Sequence, residues 1–257
     1  MFGVVGVLIG YRSSSMSCTD LQPLPNTPAT PIIRRHNDNR LGAVYSSLHG
    51  FWTSRHAALN AIGQNAAIAR RDAYSVTLFD SSANTCVSND FARSPDDLLN
   101  SIASQKPRGG TNYTAALVEA QSVMVQQWSN ERYVIPVHCH YGSRLTSQRA
   151  PVLIFLSDGE CSVADATIRS ICREAINHGY VLSTPYTTLN FNSYRKPLSF
   201  HAVSFGPHNE VLRRMAQVAR EVEATAPRDP LLPPDAHVES SYSAALDSVR
   251  FNRSNCT

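Results

Sequence analysis

Pro151-Val-Leu-Ile-Phe-Leu156, followed at once by Ser157-Asp158-Gly159, is the stretch that decides the fold. Its apolar residues run on without polar alternation, the pattern of a strand buried on both faces inside a parallel sheet. A hydroxyl, an acid and a glycine directly behind such a run read as a loop at the strand's carboxyl end. Moving toward the amino terminus, Thr114 to Trp128 is helical and sits behind a chain break at Gly109-Gly110. Ser94 caps a helix that starts at Pro95 and carries Asp96 and Asp97 in its first turn. Tyr74-Ser-Val-Thr-Leu-Phe79 alternates and ends at Asp80, so it is a strand, with Asn84 to Val87 as its short edge neighbour. Leu41, Val44, Leu48 and Trp52 recur at helical spacing within Asn39 to Asn60. Arg12 to Asp38, with four prolines, reads as a long loop, and the apolar start as far as Gly10 as another buried strand.

Toward the carboxyl terminus the alternation continues. Ala164 to Asn177 is an amphipathic helix closed by Gly179, Leu198 to Phe205 is a strand, and Glu210 to Ala224 is a helix. A proline-rich stretch, Pro227 to Pro234, leads to an expected last helix at Ser240 to Val249. Strands alternating with helices predict an α/β fold: a doubly wound, mostly parallel central sheet with helices on both faces. The expected organisation is one domain over residues 1–225, then a proline-rich linker and helix over 226–257.

Composition narrows the function. The chain has 257 residues, 42% of them apolar and 17% charged, enough for a substantial core. Its net charge of +3 comes from 21 Arg and 2 Lys set against 20 acids, scattered without a stripe, which argues against a nucleic-acid binder. Six cysteines form no C-x-x-C pair and read as reduced and mostly buried thiols. No apolar run approaches the ~18 residues of a membrane span, and no basic segment or cleavage site frames the apolar start. A cytoplasmic protein is expected.

Ligands of doubly wound sheets bind beyond the strand carboxyl ends. There the sequence offers Ser13 and Ser15 after the first strand, Thr111 in a glycine-marked loop, and Asp158. Hydroxyls and a carboxylate on three loops are oxygen donors suited to Mg²⁺, although turn chemistry uses the same residue types.

The order of these pieces resembles the von Willebrand factor A domain. Ser13-Ser14-Ser15-Met16 is similar to the end of the family's D-x-S-x-S-M loop, and Leu78-Phe79-Asp80 to its second strand. Gly109-Gly110-Thr111-Asn112 is similar to its G-G-T-N/D loop, Phe155-Leu156-Ser157-Asp158-Gly159 to its L-L-T/S-D-G loop, and His201 to Gly206 to its I-G-F/V-G strand. The likeness spans most of residues 2–224 and looks closest to A domains of large intracellular fungal proteins. It implies a non-enzymatic module that binds another protein through a metal-ion-dependent adhesion site, whose Mg²⁺ is completed by a partner's acidic residue. The implied metal residues are Ser13, Ser15, Thr111 and Asp158. Tyr11 stands where the family's first aspartate belongs, so the site is expected to be degenerate, and nothing in the spacing of Asp20 or Asp38 brings either in to replace it. Tyr11 should either point toward the missing acid's place or be displaced into the sheet.

Two segments interrupt the family pattern, 134–149 and 180–195, and both read as insertions: translated intron sequence or surface loops. The first holds His138-Cys139-His140, a spacing that can grip zinc, so a small hydrolase or zinc enzyme is the rival reading. A defective or mis-spliced gene product is the third. No nucleophile elbow, P-loop or dinucleotide fingerprint is present.

Overall fold

The computed structural model describes residues 4–61, 72–130, 150–178, 198–205, 208–225 and 239–245. The strand quoted first forms β4, Ala150–Ser157, and lies parallel between β1, Val4–Tyr11, and β5, Ser199–Phe205. Beyond β1 comes parallel β2, Ala73–Phe79, then antiparallel β3, Ala83–Asp90, at the edge. β5 is flanked on its other side by parallel β6, Ser241–Ala245. The order is therefore β3-β2-β1-β4-β5-β6. Successive crossovers run one way from β1 to β2 and the other way from β4 onward, so the switch of direction falls between β1 and β4.

Among the described residues six helices cover the sheet: α1, Thr30–His36; α2, Arg40–Ala61; α3, Pro95–Ala103; α4, Tyr113–Asn130; α5, Asp165–His178; and α6, Glu210–Ala224. Helices α4, α5 and α6 pack side by side, while α1, α2 and α3 form a second group. Every residue of β2 is buried, because helices cover both of its faces. α2 is buried nearly all round from Leu41 to Trp52, since it lies between α1, α3 and the sheet, where the Phe51 and Trp52 rings meet Tyr74 at 6.2 Å. The contact is close enough that a Cβ on Gly42 would stand 1.9 Å from the Asn37 carbonyl oxygen. α3 begins with a reciprocal capping box between Ser94 and Asp97, as the sequence signal implied. Among the described residues no helix is long and apolar enough to cross a membrane.

The structure corrects two expectations. The Arg12–Asp38 stretch is not all loop: Ser14–Ser17 makes a 3₁₀ turn and Thr30–His36 is helical. Pro31 starts that helix and Ile33 is fully buried, so the prolines that looked like loop residues include a helix-initiating one. The helix expected over Ser240–Val249 is also wrong, because 241–245 is strand β6. The open edge of β5 offers backbone partners that a local helix signal cannot outcompete. Ser240 locks the entry by accepting the Phe200 N–H at 2.9 Å and donating to Glu223 Oε2 at 2.9 Å. Chain beyond the proline-rich stretch thus returns to the sheet. Segments 134–149 and 180–195, with His138-Cys139-His140, lie outside the described residues.

Candidate functional site at the carboxyl end of the sheet

An aromatic floor underlies the loops at the β1/β4 switch. Phe79 touches Tyr11 and Phe155 at centroid distances of 5.1 and 5.2 Å, and Tyr113 packs edge-on to Phe155 at 5.0 Å. The Tyr113 hydroxyl donates to Ser157 Oγ at 2.9 Å and also meets the Gly159 carbonyl. Burial raises the Tyr113 pKa. Tyr11 takes the second of its two expected courses, into the sheet. Its ring is sunk into this floor at 3% exposure, and its hydroxyl bonds the Thr111 hydroxyl. A Cβ on Gly159 would stand 3.0 Å from the Tyr11 oxygen, so glycine at 159 leaves room for the tyrosine. Thr111 is thereby engaged by Tyr11.

The other three sequence-predicted residues form one chain of hydrogen bonds. Ser13 Oγ and Ser15 Oγ lie 2.8 Å apart, and Ser15 Oγ donates to Asp158 Oδ1 at 3.0 Å. The loops are tied together by the Ser14 N–H, which donates to the Gly109 carbonyl at 3.2 Å. Gly109 adopts φ 70°, a conformation that suits glycine.

Two residues outside the sequence-predicted set complete the site. Arg40, the first residue of α2, donates from Nη1 to Asp158 Oδ2 at 2.6 Å. Its Nε and Nη2 donate to Asp20 Oδ1 and Oδ2, both at 2.6 Å, a fork-to-fork pair. Side-chain exposure grades outward, from 0% for Asp158 through 24% for Arg40 to 55% for Asp20. The Asp20 hydrogen bond raises the Arg40 pKa against the effect of burial, with Asp158 adding to the rise, and the same bond lowers the Asp20 pKa. A cation at a helix start opposes the helix dipole and calls for an anion nearby. That is the signal Arg40 carried in the sequence. Asp20 comes in although its spacing gave no sign of it, since the 3₁₀ turn at 14–17 folds the chain back and the Cys18 carbonyl accepts the Arg40 N–H at 2.9 Å.

A divalent cation at this position needs several oxygen lone pairs turned inward and anionic charge free to meet it. Here Asp158 Oδ2 is held by a guanidinium, Asp158 Oδ1 by Ser15, and Thr111 by Tyr11. As arranged, these donors fit a guanidinium and not Mg²⁺.

A second ion pair sits beside this one, at the ends of β1 and β2. Arg12 Nε donates to Asp80 Oδ2 at 3.0 Å, Arg12 Nη1 to Gln105 at 2.8 Å, and Arg108 Nε to Asp80 Oδ2 at 3.2 Å. Burial raises the Asp80 pKa, but hydrogen bonds from Ser82 and Arg108 and the charge of Arg12 outweigh it and leave the carboxyl low.

The sequence profile described as von Willebrand factor type A domain matches residues 44–160, which takes in β2 to β4 and Asp158 but not Ser13 or Ser15. No curated protein sequence matches the chain. Among solved structures, conserved hypothetical protein BatB from Bacteroides thetaiotaomicron is similar, with TM-score 0.53 and 11% identity over 98% of this chain and 95% of that one. Proximal thread matrix protein 1 of the mussel byssus has TM-score 0.51 and 10% identity, over 99% of this chain and 46% of its own. The SpRpn10 VWA domain has TM-score 0.50 and 10% identity, over 92% and 94%. At these identities the likeness is one of fold. The chain has the von Willebrand factor A fold, with a family match over residues 44–160.

Proposed function

We propose that this chain is a non-enzymatic protein-binding module of the A-domain type, working through the loops at the carboxyl end of its sheet without a divalent cation. A domains are in general interaction modules, which supports the first half. The second half rests on one observation: the guanidinium of Arg40 sits 2.6 Å from the fully buried carboxylate of Asp158. In this reading Ser13, Ser15, Thr111 and Asp158 are a degenerate metal-ion-dependent adhesion site whose positive charge is supplied by the chain itself. A Mg²⁺ ion would have to expel Arg40 and leave that cation facing it, which costs both a charge-assisted bond and repulsion. Four cysteines among the described residues are free thiols, which supports a reducing, cytoplasmic setting.

Calorimetric titration with MgCl₂ tests the metal half. The wild type should give no binding heat, whereas Arg40→Gln, which frees Asp158 and Asp20, should give a one-site isotherm. A wild type that binds Mg²⁺ stoichiometrically would overturn it. A photo-crosslinking residue placed at exposed Ser17, beside the site, tests the face against one at Phe91, 55% exposed and at the other end of the sheet. Discrete protein adducts from position 17 alone, undiminished by EDTA, are expected; equal labelling from both ends would sink the assignment of the face.

A further inference from the structure

The ion triad at this face divides into a fixed half and a replaceable half. Arg40 is fixed from behind: Asp158, with no exposed side-chain surface, holds Nη1, and the Arg40 backbone N–H is bound to the Cys18 carbonyl. Its Nε–Nη2 edge faces outward, and that edge is the planar two-donor fork that matches a carboxylate. Asp20 fills it from a side chain 55% exposed. The chain around Asp20 is anchored on either side by other groups, at the Cys18 carbonyl and at Leu24, whose N–H donates to Ser46 Oγ at 3.2 Å. Between those anchors the carboxylate of Asp20 takes hydrogen bonds from Arg40 and from the adjacent Leu21 N–H. Its grip on Arg40 can therefore open without unpacking a helix or strand, at the cost of a two-bond pair whose acid is 55% exposed and screened by solvent.

We propose that the outward edge of Arg40 is a carboxylate receptor, occupied in the resting protein by Asp20, and that an acidic side chain of the partner displaces Asp20 to bind. This rests on the metal-independent reading of the same face and names the partner's chemistry: an aspartate, a glutamate or a chain-terminal carboxylate. Exchanging one carboxylate for another conserves the charge on the guanidinium, so Asp158 stays neutralised throughout and the buried end of the triad does not move. Asp20 sets the affinity, both by competing for the fork and by repelling an incoming anion.

The probe is a triglutamate peptide with acetylated and amidated ends, with triglutamine blocked in the same way as its neutral control, followed by NMR at the backbone amide resonance of residue 40. Asp20→Ala should bind triglutamate about fivefold or more tighter than the wild type, the order expected when a weak internal competitor is removed. Triglutamine should shift neither protein. In Asp20→Ala/Arg40→Lys the ammonium still neutralises Asp158, so the fold is kept, but the fork is gone and the gain should disappear. An Asp20→Ala protein that binds triglutamate no better than wild type overturns the exchange, as does a gain that survives Arg40→Lys. Magnesium titration of the same samples separates the two failures. A metal-binding wild type defeats the parent reading, and a metal-silent wild type with no gain in Asp20→Ala defeats only the exchange.

Discussion

Two arginine–aspartate pairs stand side by side at the carboxyl end of this sheet, and they differ in how deeply their inner members lie. Arg12–Asp80 is closed beneath its outermost member: its side chains are 2% and 6% exposed, Gln105 and Ser82 add hydrogen bonds, and Arg108, 68% exposed, reaches in from solvent to an acid that Arg12 already neutralises. Arg40–Asp158 begins as deeply, at 0% for the acid, but runs outward to the half-exposed Asp20. A closed pair can only hold loops in place. An open one has a terminal partner that solvent, or another protein, can replace at small cost. Ion pairs with the same chemistry and the same location thus divide into architecture and interface by the exposure of the member beneath the outermost one, 6% for Asp80 and 24% for Arg40.

The largest expected effect breaks the closed pair. Asp80→Asn leaves Arg12 buried without its counter-charge and should cost about 3–5 kcal/mol of stability in urea unfolding. A loss under about 1 kcal/mol would mean the cluster is as open as its neighbour. Arg40→Gln should cost less, about 1–3 kcal/mol, because, of the two carboxylates it frees, Asp20 is solvated and Asp158 keeps its bond from Ser15. Millimolar MgCl₂ should restore much of that loss, since a ligand that binds only the folded state stabilises it by mass action. A variant indifferent to both EDTA and MgCl₂ would show that Arg40 does not stand in for a cation.

Acid sharpens the comparison. Asp80 and Asp20 both titrate below the ordinary 3.8 in the folded protein, so the stability they supply is fully present above that value and lost as pH falls through their lower folded values. Asp80→Asn should flatten the low-pH limb of a melting-temperature profile and Asp20→Asn should barely change it, because Asp20 is solvated in both states. His201 must be silenced first. Burial lowers its pKa from 6.5 to about 4, so its contribution is present above 6.5 and is lost as pH falls toward 4. A His201→Gln background should remove that slope and leave the carboxylates to be read alone. The smallest effect belongs to Asp20→Asn itself, about 0–1 kcal/mol at neutral pH. A larger cost would make Asp20 a structural clamp and not an exchangeable ligand.

The fold was legible where patterns were local. The apolar run at 151–156, the capping signal at Ser94 and the helical spacing through Trp52 each reappear as β4, α3 and α2. Segment 241–245 was not legible, because Ser-Tyr-Ser-Ala-Ala has no decisive propensity of its own. The free edge of β5 supplied what the sequence lacked. At the site, Ser13, Ser15 and Asp158 were found from their places after strand ends, and the structure links them by hydrogen bonds. Asp20 and Arg40 were not, since one lies in irregular chain and the other at a helix start, and neither position has a periodicity to read.

By itself, then, the sequence determined which segments are strands buried on both faces, where those strands stop, and that a tyrosine stands where an acid was expected. These follow from side-chain pattern and strand periodicity, which act over a few residues. Only the tertiary structure decided what neutralises Asp158. Arg40 lies 118 residues from Asp158 in the chain, and Asp20 a further 20 away from Arg40. Charges so distant in sequence are brought within 2.6 Å only after the sheet has placed the end of β4 beside the start of α2. An electrostatic partner is chosen by distance in space, and the buried carboxylate takes whichever cation the packing delivers.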